Sequence, residues 1–235
     1  MRLFIYKLNS IHRMKRIFLV ILVVITANNI CAQYFPVDTA KLNSSYRNLV
    51  NEPNSIEYQK AFFEAFPSTW MEFIMTYQFV PAEEYDLTMY HLSDGHISDL
   101  RKITFIPDSV YCKKMVDLSI GGKLDADAPN YLLWLLHDVM KAKTSQMFEY
   151  ISKLDKGYQM LFWQFYWSGM YSNQEFEAEC KKLKTLHEDE CPETVQIMCD
   201  AYKYFHNGIY LGYKDFPHKD SIPWKVSRWE KNTKE

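Results

Sequence analysis

The sequence predicts an all-α fold, a single multi-helical domain of about seven or eight helices behind an N-terminal signal peptide. Three observations carry this. Apolar residues recur at the 3.6-residue helical period along most of the chain. No strand-like alternation of convincing length and no fixed repeat accompanies them. The N-terminal residues show the charge and hydropathy order of a secretory leader.

Lys15 and Arg16 form the basic part of that leader, and Ile17 to Ala27 its apolar run. At about 20 residues for a membrane-spanning helix, the run is too short to cross a bilayer but fits a cleavable signal. Polar residues follow, so cleavage is expected between Ala32 and Gln33, with Met14 as the true start. Cys31 raises a lipoprotein alternative, but Asn29 and Ile30 are not the small residues that should precede a lipid-modified cysteine. The chain is therefore read as residues 1–32 signal, 33–213 helical domain and 214–235 charged C-terminal extension, and its product as periplasmic or secreted, with no transmembrane anchor.

Helical elements follow in order. Tyr58, Ala61, Phe62, Ala65 and Phe66 share one helix face, which Pro67 closes. Ser68 or Thr69 caps the next face, Trp70, Phe73, Ile74 and Tyr77, with Thr69 and Glu72 spaced as a capping box. Pro81 to His91 reads as a short helical segment broken by a turn at Asp94-Gly95. Asp108 or Ser109 caps a helix through Val110, Cys112, Met115, Val116 and Ser119, ending at Gly121-Gly122. Asp127 caps a helix with Pro129 in its first turn and Leu132, Leu135, Leu136, Val139 and Met140 inward. Met147, Phe148, Ile151 and Leu154 continue the pattern.

Tyr158 to Tyr171 is apolar nearly all round, which predicts a central helix covered on most sides. Phe176, Cys180, Leu183 and His187 mark an amphipathic helix, and Val195, Met198, Cys199, Tyr202, Phe205 and Ile209 the last one, started by Pro192. Trp224 and Trp229 in the extension either clamp it to the domain or form a binding tail.

Charge narrows the function classes. The 235-residue chain has 27 basic and 29 acidic residues. Removing residues 1–32 takes away Arg2, Lys7, Arg13, Lys15 and Arg16 and no acid, so the net charge moves from −2 to −2 − 5 = −7. Nucleic acid, which needs a basic patch, is a poor partner for such a surface, whereas a basic protein partner suits it. The 48% hydrophobic and 16% aromatic content excludes a disordered chain.

Cys112, Cys180, Cys191 and Cys199 remain after processing and are candidate disulfide cysteines in an oxidising compartment. Cys191 and Cys199 on one helix would stand about 12 Å apart, too far to bond. Cys180 with either of them and Cys112 with the other are the allowed bridges, against the alternative of buried thiols.

His91, Asp94, His96 and Asp99 crowd metal-binding and acid–base side chains into nine positions, and form the candidate polar site. Their spacing matches no zinc motif, and a polar turn accounts for the same residues. Asp125, Asp127 and Asn130 begin like a calcium loop but lack its glycine and its final glutamate. His187, Cys191, Cys199 and His206 are spaced irregularly for zinc. Gly121-Gly122-Lys123 is no phosphate loop, and Ser168 has no nucleophile-elbow frame. Neither metal nor cofactor is expected.

Phe62-Phe63-x-x-Phe66-Pro67-x-x-Trp70-x-x-Phe73, His91 with Gly95-His96-Ile97, Gly121-Gly122-Lys123-x-Asp125-Ala126-Asp127, and Phe162-Trp163-x-Phe165 leading to Gly169 carry a resemblance. With these motifs, across the middle two-thirds of the mature part, the chain resembles a group of exported helical proteins of Bacteroides-like bacteria. That likeness implies a helical fold and export, and no activity or functional residue. Similar small exported helical proteins look like partners or periplasmic immunity proteins in contact-dependent bacterial antagonism. The expectation is thus a non-enzymatic exported binding protein, of immunity type toward a secreted toxin. A hydrolase with its site near His91 to Asp99 and a structural envelope component are the alternatives.

Overall fold

Ten α-helices and no strand make up the described part of a computed structural model, which covers residues 37–79, 89–124, 126–169 and 173–207. In chain order they are α1 (Thr39–Asn51), α2 (Ile56–Ala65), α3 (Trp70–Tyr77), α4 (Ser93–Asp99), α5 (Asp108–Ser119), α6 (Asp127–Ala142), α7 (Thr144–Ile151), α8 (Lys156–Tyr166), α9 (Asn173–His187) and α10 (Pro192–His206). Single 3₁₀ turns, Tyr90–Leu92 and Leu100–Lys102, flank α4. From Thr39 onward the helices form one unit. No helix among the described residues is long and apolar enough to cross a membrane. The signal segment with Ala32 and Gln33, most of the 81–91 segment, Asp125, Ile209 and the 214–235 extension lie outside the described residues.

The helices start and stop for local reasons. Ser55 accepts from the Tyr58 N–H at the start of α2, and Thr69 from that of Glu72 at the start of α3. The Glu72 carboxylate reaches back to the Ser68 N–H at 2.7 Å, one residue before the position a standard capping box uses. Lys114 Nζ donates to the Phe63 and Phe66 carbonyls at the end of α2, placing a cation where the helix dipole is negative. After α5, Gly121 takes φ 80°, a left-handed conformation open to glycine at little cost.

α8 lies at the centre, as expected. Phe162, Trp163, Phe165 and Tyr166 are wholly buried, as is Trp167 just beyond the helix. α10, α5 and α6 pack around it. α1 pairs with α2, α4 with α6, α5 with α7, and α9 with α10.

Five details depart from the sequence reading. The count exceeds seven or eight because α1 and α4 were not anticipated; α1 buries only Leu42, Ser45 and Leu49, a stripe too thin to stand out as periodic. Asp94-Gly95 is helical, not a turn. Gly95 is there for space, since a Cβ would lie 2.5 Å from the Tyr46 hydroxyl. Asp108 and Asp127 are first helical residues and make no side-chain cap; Pro107 and Ala126 hold the cap positions, and the two carboxylates turn to Lys143 and Tyr90. The helix begun near Tyr158 ends at Tyr166, and Val110 is exposed.

Gly122 tests how tightly α8 is enclosed, because a Cβ there would stand 2.5 Å from the buried Phe165 ring. Gly122→Ala should cost about 1–3 kcal/mol by overpacking. Gly121→Ala should cost about 1 kcal/mol through its backbone. Urea denaturation of both variants measures the difference.

Candidate functional site

α4, α5, α7 and α8 all pack on α6. Nine of its sixteen residues are buried, among them Leu132, Leu135, Leu136, Val139 and Met140 as the periodicity predicts. At 3.6 residues per turn, what remains outside is one stripe, Asp127, Asn130, Tyr131, Trp134, Asp138 and Lys141, with Ala142 at its end. In the middle of it Trp134 is 47% exposed, with the Tyr131 ring 5.8 Å away, centroid to centroid.

Neighbouring elements widen the stripe into a surface. The Tyr90 hydroxyl donates to Asp127 at 2.6 Å, and the exposed Phe79 ring stands edge-on against Tyr90 at 5.3 Å. From the turn after α4, Arg101 binds Asp138 through Nε and Nη2, both at 3.0 Å. Asp94 accepts from Ser98 at 3.1 Å on the outer side of α4. Burial, then the charges of Asp127 and Asp94, raise the Tyr131 phenol above its ordinary value. Among the described residues neither Asp94 nor Asp127 forms an ion pair. The result is an aromatic strip edged by two carboxylates free of basic partners, which is the chemistry that holds an ammonium or guanidinium group over a ring face.

The four sequence-predicted polar residues do not converge. His91 and Asp94 are exposed, whereas His96 is wholly buried and Asp99 nearly so. His96 sits among the Tyr46, Phe62 and Tyr77 rings, its Nδ1 hydrogen-bonded to the Tyr77 hydroxyl at 2.9 Å. Its Nε2 is buried without a hydrogen-bond partner. Asp99 takes a hydrogen bond from Tyr46 and pairs with Lys102 at 2.6 Å. Only Asp94 belongs to the α6 surface. Among the described residues no group of His, Cys, Asp and Glu is arranged to hold a metal ion.

Two further polar networks carry no sequence signal, because their members come from distant helices. The wholly buried His137 on α6 donates from Nε2 to the Tyr166 carbonyl at 3.1 Å, and its Nδ1 stands 3.7 Å from Glu179 on α9. Tyr166 donates its hydroxyl to the same carboxylate. Burial pushes Glu179 up, but the nearby His137 imidazole and the Tyr166 hydroxyl outweigh it and hold the carboxyl below its usual value. His187 stacks on Phe148 at 3.9 Å and meets Thr144 Oγ1 at 3.0 Å. Both networks lie within the packing of helices against one another, with His137 and His187 buried.

Of the four described cysteines, Cys112 is wholly buried on α5 and Cys191 donates to the His187 carbonyl. Cys180 and Cys199 face each other across α9 and α10. Sequence reasoning missed Tyr90, Tyr131 and Trp134. The signal available for Trp134 was its register, which helical arithmetic places between Asp127 and Asp138 and away from the leucines.

Burial of His96 has a consequence for acid stability. Burial first, and then the neighbouring His91, lowers its imidazole from 6.5 to about 4. Since the unfolded chain takes up that proton first, stability is full above pH 6.5 and falls as pH drops toward 4. The shift corresponds to roughly 3 kcal/mol. His96→Phe should flatten the pH dependence of the urea midpoint over that window, and an unchanged slope would contradict the assignment.

No protein-family model, no curated protein and no solved structure matches this chain.

Proposed function

We propose that this chain is an exported, non-enzymatic binding protein, periplasmic or secreted, whose α4–α6 surface receives a basic segment of a protein partner. The single observation that carries the reading is the exposed Trp134 beside Tyr131, on a surface where the carboxylates Asp127 of α6 and Asp94 of α4 have no basic partner among the described residues. A large aromatic side chain half open to water forgoes burial worth about 1 kcal/mol or more, a cost that contact with a partner removes.

Charge supports the same reading at two scales. The chain without residues 1–32 is acidic, which draws a basic partner toward it from a distance. At the surface, acid and ring together favour Lys or Arg over an apolar or acidic segment. An immunity-type protein neutralising a basic secreted toxin is the specific role that fits both. The burial of His96, with its Nδ1 already taken by Tyr77, gives the hydrolase alternative no exposed imidazole there beyond His91.

Fluorescence anisotropy with a labelled lysine- and arginine-rich octapeptide, and with its glutamate-rich counterpart, tests the surface. The basic peptide should bind and weaken as salt rises to about 0.5 M, where charges are screened beyond a few ångströms. Trp134→Ala and Asp127→Asn should each weaken it by about tenfold, or 1.4 kcal/mol, with the helical circular dichroism unchanged. Equal binding of both peptides, or wild-type affinity in both variants, would refute the surface.

A further inference from the structure

The geometry points to Cys180 and Cys199 as a thiol pair that forms a disulfide between α9 and α10 by exchange with an oxidised thiol carrier. Their Sγ atoms stand 3.8 Å apart, and both thiols are free. A disulfide needs about 2.05 Å, so side-chain rotation with a small helix adjustment closes the gap. The proposal is independent of the binding surface on α6.

The two sulfurs are not equivalent, and the difference sets the order of events. Cys180 is 8% exposed, whereas Cys199 is the more open of the pair. The hydrogen bond from the Cys180 thiol lowers Cys199 to about 7 against the opposing effect of burial, with Lys184 and Lys203 adding to the lowering. The same bond and burial push Cys180 up. Cys199 is therefore the thiolate that attacks a small-molecule or protein disulfide, RSSR, releasing one RS⁻ and leaving a Cys199–SR mixed disulfide. Cys180 then gives up its proton, attacks the Cys199 sulfur and expels the second RS⁻. The protein loses two protons and two electrons, and the carrier takes them up to leave as two RSH.

The other cysteines do not offer this chemistry. Cys112 is wholly buried, and burial raises its thiol to about 11. Cys191 directs its thiol to the His187 carbonyl and is also raised by burial.

Glutathione disulfide as the oxidant, followed by alkylation and peptide mass spectrometry, tests the pair on the full chain. The wild type should yield one Cys180–Cys199 cross-linked peptide, with Cys112 alkylated only after denaturation. Cys180→Ser should stop at a glutathione adduct on Cys199, formed several-fold faster at pH 8 than at pH 6. Cys199→Ser should leave Cys180 unmodified on the same time scale. A cross-link that uses Cys112 or Cys191 would overturn the proposal, as would equal adduct formation at Cys180 and Cys199 in the two variants or an oxidised wild type without a cross-link.

Discussion

Everything in this fold depends on covering α8. A helix that carries Phe162, Trp163, Phe165 and Tyr166 within five positions leaves a narrow side, Lys156, Met160 and Gln164, partly in water, so neighbours must enclose it on most sides. α5, α6 and α10 pack against it, and Phe176 of α9 meets Trp167 just past its end. The rings interlock edge to face, Trp163 with Phe162 and Tyr166, and Tyr166 with Trp167. Such pairs add about 0.5–1.5 kcal/mol each beyond the area they bury. Polar ends are matched to carbonyls and acids: Trp167 Nε1 donates to Met198 and the Tyr166 hydroxyl to Glu179. Trp163 Nε1 is buried without a partner, as are Gln159 Oε1 and Gln164 Nε2 of the same helix, each at a cost of about 1–3 kcal/mol that the packing must exceed.

The enclosure of α8 also determines where a surface is left over. α6 is pressed between α8 and three other helices, which takes its leucines and His137 inward and leaves a single outward stripe. That stripe is held rigid by pairs across elements, Tyr90 to Asp127 and Arg101 to Asp138. A rigid surface loses little conformational freedom on binding, so exposed rings placed on it favour recognition. The same helix thus serves the core with one side and offers a partner the other.

Much of the fold was legible in the sequence, and the reason differs by element. α8 announced itself through ring density, and α6 and α9 through apolar spacing that the structure repeats residue by residue. α1 was hidden because three buried positions among polar ones make no pattern. α4 was hidden because Asp94-Gly95 reads as a turn until the Tyr46 hydroxyl that needs the glycine's empty side is seen. The site was less legible than the fold. His91, Asp94, His96 and Asp99 are close in sequence, but one turn of helix sends His96 to the core and Asp94 to the surface. The pairs that matter, Tyr90 with Asp127 and Cys180 with Cys199, are joined only by packing between helices.

Native-state hydrogen exchange tests the dependence on α8 most directly. If its burial holds the domain together, the amides of Gln159 to Tyr166 exchange only through global unfolding, with the same free energy as the urea transition. Exchange of those amides through local opening, faster than in α5 or α6, would contradict the account.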